Sequence, residues 1–388
     1  MWRTKGVIGC WMIGAKGNVA SCTAALAGLL AGGRLSHGGL LTGTEPFCRL
    51  ALAEPSGIVF GGHDVVNHTP GESFAAVMRA AGRPDLCGPA AEILRDYEGR
   101  IRSGWSAGEA AARKDVAAAE APDALEADIR AFRDAHGLRR VVVVNLASTE
   151  PPCPDYADEK ELAEAAAKGL LAESVLYAWA ACRAGCAYVN FTPSAGARVR
   201  ALRDLFARRG LPHAGRDGKT GETLVKAALA PLFRARALRV LSWVGFNILG
   251  NRDGATLRDP RNKTSKTASK GGVVPSILGY SPHGHVGIEY VPSLGDGKVA
   301  WDFVHFEGAF GVRMALQFVW DGVDSVLAAP LVLDLVRLVD LAVRRGEAGA
   351  LKQTALFFKD PPRGVPHDLS AQFLLLENYA ESVLEERS

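Results

Sequence analysis

Lysines at close spacing are the first residues able to do chemistry here. Lys263, Lys266 and Lys270 lie in RNKTSKTASKGG, and Lys298 follows in Gly295-Asp296-Gly297-Lys298. A helix would set Lys266 and Lys270 on one face, one turn apart. Two ammonium groups so placed repel unless an anion lies between them, and a phosphorylated substrate supplies one. A solvated basic loop is the plainer alternative. A second candidate is Gly14-Ala15-Lys16-Gly17-Asn18-Val19-Ala20-Ser21, directly after an apolar run and opening a helix. In that context glycines let backbone N–H groups reach a pyrophosphate, and the helix N-terminus favours its charge. Lys16 stands where the second glycine of a dinucleotide fingerprint belongs, so an ordinary strand-turn-helix remains open. Gly250-Asn251-Arg252-Asp253-Gly254 follows a strand-like run, where Asn and Asp can hold ribose or amide groups, or simply turn the chain.

Other patterns carry less. Asp324-Ser325 before a long apolar helix reads as an N-cap. Gly215-Arg216-Asp217-Gly218-Lys219-Thr220-Gly221 is loosely like a phosphate loop but lacks the spaced upstream glycine, which sets an ATPase aside. His283, His285, His305 and Glu307 are too weakly patterned to imply a metal, and none is expected. There is no Gly-x-Ser-x-Gly elbow.

These residues need elements to position them. Residues 6–13 read as a buried strand, 14–17 as a turn and 18–31 as a helix capped by Asn18. The stretch 36–60 is Gly-rich and irregular, ending in Ile58-Val59-Phe60. Residues 106–135 suggest one or two surface helices. VVVVNLA (141–147) is the strongest strand signal; 158–184 reads as one long amphipathic helix, 187–192 as a strand, 196–209 and 221–236 as helices and 238–247 as a strand. Such alternation implies an α/β fold with a doubly wound parallel sheet. After about residue 250, VGIEYV, KVAWDFVHF and RMALQFVW follow one another without an intervening helix, which implies a second sheet. A long helix at 324–345 and the segments 351–359 and 370–386 end the chain.

Composition bounds the class. The 388 residues allow two or three domains, and 48% hydrophobic with 22% charged residues is ordinary for a globular enzyme. A net charge of +3 gives no bulk electrostatic drive toward nucleic acid. The seven scattered cysteines, an odd count, point to reduced thiols rather than a disulfide framework. No run approaches the roughly 20 apolar residues of a membrane span. A cytoplasmic location, with no membrane partner, is expected.

Taken in order, GFNILGNRDGATL (245–257), SKTASKGGVV (265–274), VPSLGDGKVAWD (291–302) and DSVLAAPLVLDL (324–335) resemble the inositol-3-phosphate synthase family. FGGHDV, NLASTE, YVNFTP, GRDGKTGETLVK and the Gly14 turn support the likeness. The resemblance implies a Rossmann-type NAD domain over 1–250, an inserted α+β catalytic and tetramerisation domain over 251–345, and a segment, 346–388, returning to the first. It places Gly17 and Asn18, in the turn that Gly14 opens, at the NAD pyrophosphate. Asp64, then Ala147, Ser148 and Thr149, then Thr192 would line the cofactor. Asp217, Thr220, Asn251 and Asp253 would lie near the nicotinamide, with Asp296, Asp324 and Ser325 as further polar contacts. Lys266, Lys270, Lys298 and Lys359, the last in FFKDPP, match the family's active-site lysines.

The reaction so implied converts D-glucose 6-phosphate to 1D-myo-inositol 3-phosphate by C5 oxidation, enolisation, aldol closure and re-reduction, with ammonium groups around the developing oxyanions. The sequence departs from the family at Lys16, His63, Arg252 and Gly297 and in a short 36–60 region. These departures leave two alternatives: the same chemistry on fructose 6-phosphate, closing a five-membered ring, and a plain NAD-dependent sugar-phosphate dehydrogenase. The resemblance also implies a homotetramer built on the second sheet, whose strand-like runs carry Tyr290, Trp301, Phe303, Phe306 and Trp320.

Overall fold

The computed structural model describes residues 8–106, 108, 115–250 and 272–386. The first sheet holds seven parallel strands: β1 (Ile8–Ile13), β2 (Ile58–Asp64), β3 (Ile101–Ser103), β4 (Val141–Asn145), β5 (Ala187–Asn190), β6 (Pro212–Gly215) and β11 (Gly349–Ala350). Their order is β3-β2-β1-β4-β5-β6-β11, so the winding reverses between β1 and β4. Every residue of β1 and β4 is buried, as parallel strands covered on both faces must be. One face carries α1 (Asn18–Ala31), α2 (Pro70–Ala80), α3 (Cys87–Glu98) and the long helix α10 (Asp324–Arg344). The other carries α4 (Ala121–Ala135), α6 (Glu173–Arg183) and α7 (Arg200–Arg208).

The second sheet has the order β10-β9-β7-β8, from β7 (Arg239–Leu249), β8 (His283–Tyr290), β9 (Gly297–Glu307) and β10 (Arg313–Val323). Helices α8 (Glu222–Ala235) and α9 (Val273–Leu278) cover one face through Phe233, Trp243, Val240 and Ile277. The strand expected at 238–247 therefore belongs to this sheet rather than to the parallel one. Its partners β9 and β8 arrive later in the chain, which local pattern cannot show.

Two helix expectations also change. The single helix at 158–184 is two, α5 (Glu159–Ala167) and α6, broken where Gly169 takes φ +66°. Asp158 caps α5 by accepting from the Glu161 N–H at 3.0 Å. Within 106–135 the helix among described residues is α4. Two helices, α2 and α3, were not read from the sequence, although Thr69 and Glu72 form a reciprocal capping box at the start of α2.

The irregular 36–57 segment is tied to α10. Buried Asp334 accepts from the Leu41 and Thr42 N–H groups at 2.8 and 3.1 Å. Arg337 donates to the Ala53 carbonyl at 2.8 Å. After α10 the chain adds β11 beside β6 and ends in α11 (Leu369–Glu385). Helix α10 and the C-terminal segment thus pack on the first sheet, as α1 does.

Among the described residues no helix is long and apolar enough to cross a membrane, and no three His, Cys, Asp or Glu side chains converge as metal ligands. Burial pushes the Cys182 and Cys186 thiols up to about 12, so they stay protonated and inert at neutral pH.

Candidate functional site

The site lies at the carboxyl ends of the first sheet's strands, where its winding reverses. Between β1 and α1, Gly14 takes φ +80°, and a Cβ there would lie 3.0 Å from the Ala147 backbone. Gly14 and Ala15 donate to the His63 carbonyl at 3.0 and 3.1 Å. Only glycine suits this turn, because both the dihedral and the close approach exclude a side chain. Lys16, the unexpected residue, is built into it. Its N–H donates to Asp64 Oδ2 at 2.6 Å and its ammonium to the Val66 carbonyl at 3.0 Å. Asp64 Oδ1 accepts from the Val65 and Val66 N–H groups at 2.7 and 3.2 Å. Asp64 thus fastens the turn, and any contact with a cofactor adds to that duty.

Helix α1 begins at Asn18 with Gly17 as N-cap and no side-chain cap. The expected capping by Asn18 does not occur. Its amide instead donates to Asp296 Oδ1 at 2.7 Å, latching the β8–β9 loop onto the start of α1. The other Asp296 oxygen is buried without a hydrogen-bond partner. Burial pushes this carboxyl up, against the contacts from Asn18 and Ser325, and neighbouring Asp324 adds to the rise. Ser325 is itself buried.

The loop after β6 forms the second half. Asp217 (φ 64°) donates its N–H to the Thr192 carbonyl at 3.0 Å. Arg216 and Asp360 exchange backbone hydrogen bonds of 3.0 and 3.2 Å, and Lys219 N–H reaches the Phe357 carbonyl at 2.9 Å. This pairing carries Lys359 into the site. Its N–H donates to the Asp217 carbonyl at 2.7 Å, and its ammonium to Asp217 Oδ1 at 2.8 Å. Both side chains are buried, and an ammonium so buried requires a charged partner.

Lys298 is held likewise. Its ammonium lies 3.1 and 3.3 Å from the two Asp324 oxygens, and Thr220 Oγ1 donates to Asp324 Oδ1 at 2.8 Å. Val323, not Asp324, is the N-cap of α10. Asp324 faces inward to join Thr220 and Lys298, so a residue read as a cap is a bridge between three segments.

At the ends of β4 and β5, Asn145 donates to Thr192 Oγ1 at 3.3 Å and accepts from the Ala147 N–H at 3.2 Å. Ser148 is exposed and Thr149 buried. The structure therefore forms three hydrogen-bonded sets: Asn18 with Asp296 beside the Gly14–Gly17 turn, Thr220 and Lys298 with Asp324, and Thr192 and Lys359 with Asp217. The last two are joined through the chain from Asp217 to Thr220 and the first two through Asp324-Ser325. Asn251, Asp253, Lys266 and Lys270 lie outside the described residues. The described chain reaches that stretch at Gly250, whose N–H bonds the Gly297 carbonyl at 3.2 Å, next to Lys298.

Sequence reasoning missed two residues. Lys219 is buried against Gln372, and burial pushes its amine down to about 7. It lines, with Thr220, Leu327 and Phe373, a largely apolar cleft of about 840 Å³. Glu150 accepts from the Ser174 N–H at 2.8 Å while its second oxygen is buried without a partner, and burial pushes its carboxyl up to about 7. Both stood in blocks noted for resemblance, but burial is not visible in a single sequence.

The edge fits a dinucleotide. A bare glycine turn, a 14-residue helix without a side-chain cap and a buried, unpartnered Asp296 oxygen are what a pyrophosphate and its ribose or amide groups use.

Comparison with known proteins agrees. The myo-inositol-1-phosphate synthase family model, an NAD-binding one, matches residues 45–380. Inositol-3-phosphate synthase 1 of Bacteroides thetaiotaomicron is 32% identical over 87% of this chain and 83% of its own length. The Rattus norvegicus inositol-3-phosphate synthase 1 is 31% identical over 76% of this chain, which spans 56% of that longer relative. The chain thus covers little more than half of such mammalian relatives. The structure of inositol-3-phosphate synthase from Caenorhabditis elegans superposes with a TM-score of 0.87 at 24% identity, over 97% of this chain and 86% of its own. A Thermotoga maritima myo-inositol-1-phosphate synthase-related protein gives 0.78 at 24% identity, over 97% and 98%.

Glu150 gives this edge a pH dependence. A folded carboxyl raised to about 7 stabilises the fold when protonated. That contribution is complete below the unfolded value, roughly 4.3, and is lost as pH rises through 7. Glu150→Gln keeps the acceptor for Ser174 and cannot ionise. Thermal melts should show it gaining on the parent protein between pH 5 and pH 8; a gap that does not widen over that range would contradict the assignment.

Proposed function

We propose, from the premise that this chain belongs to the myo-inositol-1-phosphate synthase family, that it is an NAD-dependent cyclitol-phosphate synthase acting on a hexose 6-phosphate. D-glucose 6-phosphate is the leading substrate and 1D-myo-inositol 3-phosphate the product. The supporting observation is that Lys298 and Lys359, both matched to the family's active-site lysines, are each buried and paired to a carboxylate beside the edge that fits NAD.

NAD, when bound, supplies the oxidation at C5 and the later return of hydride. The chain's own residues handle charge and protons. In the free protein Asp324 and Asp217 keep the two ammonium groups in place. In the complex, these fixed ammonium groups are proposed to face the oxyanions that develop at C5 and C1 and to balance the negative charge of the substrate phosphate. Such prepositioned donors lower a barrier because they need no reorganisation as charge appears, and losing one costs roughly 10²–10³ in rate. By family likeness Lys266 and Lys270 complete the set. One lysine of this set is proposed to take the C6 proton and return it. Asn18, Asp64, Ala147, Ser148, Thr149, Thr192, Asn251, Asp253, Asp296 and Ser325 are proposed to line the cofactor. The boundaries expected at 250 and 345 shift, because α8 and β7 belong with the second sheet and α10 with the first; the division of labour proposed is cofactor on the first sheet, chemistry beside the second, and a C-terminal return, 346–388, that carries Lys359.

Homotetramer assembly is part of the proposal. On the outer face of the second sheet Phe246 stacks on Trp301 with ring centroids 6.0 Å apart, and Val319 on edge strand β10 is 65% exposed. Phe306 does not join that face; it packs against Phe233 at 5.1 Å in the protomer's own core. An exposed apolar face that runs out to an edge strand favours a second copy.

Two measurements test this reading. Protein incubated with catalytic NAD and glucose 6-phosphate should yield a six-membered cyclitol phosphate by NMR, with no steady absorbance at 340 nm. A five-membered product from fructose 6-phosphate would move the assignment to that substrate. NADH accumulating with product would identify a dehydrogenase. By light scattering, Val319→Lys with Trp301→Glu should convert an oligomer to a smaller species, and a parent protein already monomeric at micromolar concentration would overturn the assembly.

A further inference from the structure

Beneath Lys298 lies a second group of charges that the proposed chemistry does not use. Glu222, Lys226 and Asp302 are 1%, 3% and 0% exposed. Lys226 Nζ donates to Glu222 Oε1, one turn earlier on α8, and lies 3.1 Å from Asp302 Oδ1 on β9. The Trp243 indole N–H on β7 donates to the same Asp302 oxygen at 2.8 Å. The second Asp302 oxygen is buried without a partner. The cluster rests on the bare backbone of Gly245, where an added Cβ would come within 2.7 Å of Asp302, 2.8 Å of Glu222 and 3.0 Å of Lys226.

This placement is hard to explain by stability. Two carboxylates share one ammonium in a site closed to water, and such buried sets are commonly no more stable than apolar residues of the same volume. What the set supplies is direction, since an ammonium donates only along its N–H bonds. The directions matter because of what adjoins them. Lys298 and Asp302 lie four residues apart on β9, both buried and facing α8. Thr220 and Glu222 flank Gly221 at the start of α8, and a Cβ on Gly221 would lie 3.7 Å from Lys298 Nζ. Two rungs therefore join the start of α8 to this side of the site: Thr220–Asp324–Lys298 within it, and Glu222–Lys226–Asp302 below.

We propose that Glu222, Lys226 and Asp302 are positioning residues for the reaction, a buried charge triad that fixes the start of α8 against β9 and so sets Lys298 relative to Thr220 and Asp324. The triad touches no substrate; it acts through Lys298. The inference rests on the reading of Lys298 as a catalytic lysine. Desolvation disfavours charge on each member, but the two carboxylates outweigh it at Lys226 and hold that amine above its ordinary value.

The test is a neutral replacement, Glu222→Gln with Lys226→Met and Asp302→Asn, which keeps volume and an acceptor for Trp243. The triple variant should melt near the parent protein and bind NAD equally, with KM little changed and kcat lower by roughly 10- to 100-fold, the scale of a misplaced catalytic group. In a Lys298→Ala background the same three changes should cost nothing further. Parental kcat in the folded triple variant, or an equal loss in the Lys298→Ala background, would overturn the proposal. Should the triple variant fail to fold, Glu222→Gln alone decides: a several-fold loss of kcat at unchanged melting supports positioning, and unchanged kcat overturns it. Parent protein inactive on every hexose 6-phosphate would instead overturn the functional reading itself, a result separate from either.

Discussion

A buried ammonium ion needs a carboxylate, and that requirement shapes this molecule's working edge. Lys359 and Asp217 are 142 residues apart in sequence and meet at 2.8 Å; Lys298 and Asp324 are 26 apart and meet at 3.1 Å. An exposed ion pair contributes under about 1 kcal/mol, but removing one partner of a fully buried pair such as Lys359–Asp217 costs roughly 3–5 kcal/mol, and part-buried Asp324 puts the Lys298 pair between these limits. The two pairs are therefore constraints on topology as well as charges at a site. The first requires the C-terminal segment to return and pair with the loop after β6. The second requires the second sheet to meet the start of α10. The Asn18–Asp296 contact closes the same circuit at the start of α1.

This arrangement resolves a tension in the chemistry. Ammonium groups clustered for oxyanions repel one another while no substrate is present. Placing a carboxylate against Lys298 and against Lys359 offsets that repulsion and fixes both side chains, and an anionic substrate can then compete for them. The chain's net charge of +3 gives no hint of this, because the charges that matter are local and nearly balanced. The apolar surroundings that make each pair necessary also strengthen it, since screening is weak where water is absent.

Much of the frame was legible because its signals are local. The Gly14 turn, the VVVV run of β4 and the period-two strands of the second sheet each carry their structure within a dozen residues. The break at Gly169 was not legible, since helical periodicity runs on across the turn and only the backbone shows the left-handed residue. Asn18 and Asp324 misled for one reason: both residue types favour N-caps, and a long-range partner took each side chain instead. Lys298 was singled out as one of a set of lysines and Lys359 through resemblance, but their partners required the fold. Lys219, Glu150 and the Glu222–Lys226–Asp302 triad were invisible, because what distinguishes them is burial. Strand β7 was placed in the wrong sheet because sheet membership depends on strands that come later.

The most direct measurement is a double-mutant cycle on turnover, with Lys359→Ala, Asp217→Ala and both together, each checked for folding. If Asp217 holds Lys359 in place for the reaction, the two losses overlap and the double variant is hardly worse than Lys359→Ala, a coupling of about 1–3 kcal/mol. Losses that simply add, to within roughly 0.5 kcal/mol, would mean that the pair does not act as a unit, and would contradict a site built on paired buried lysines.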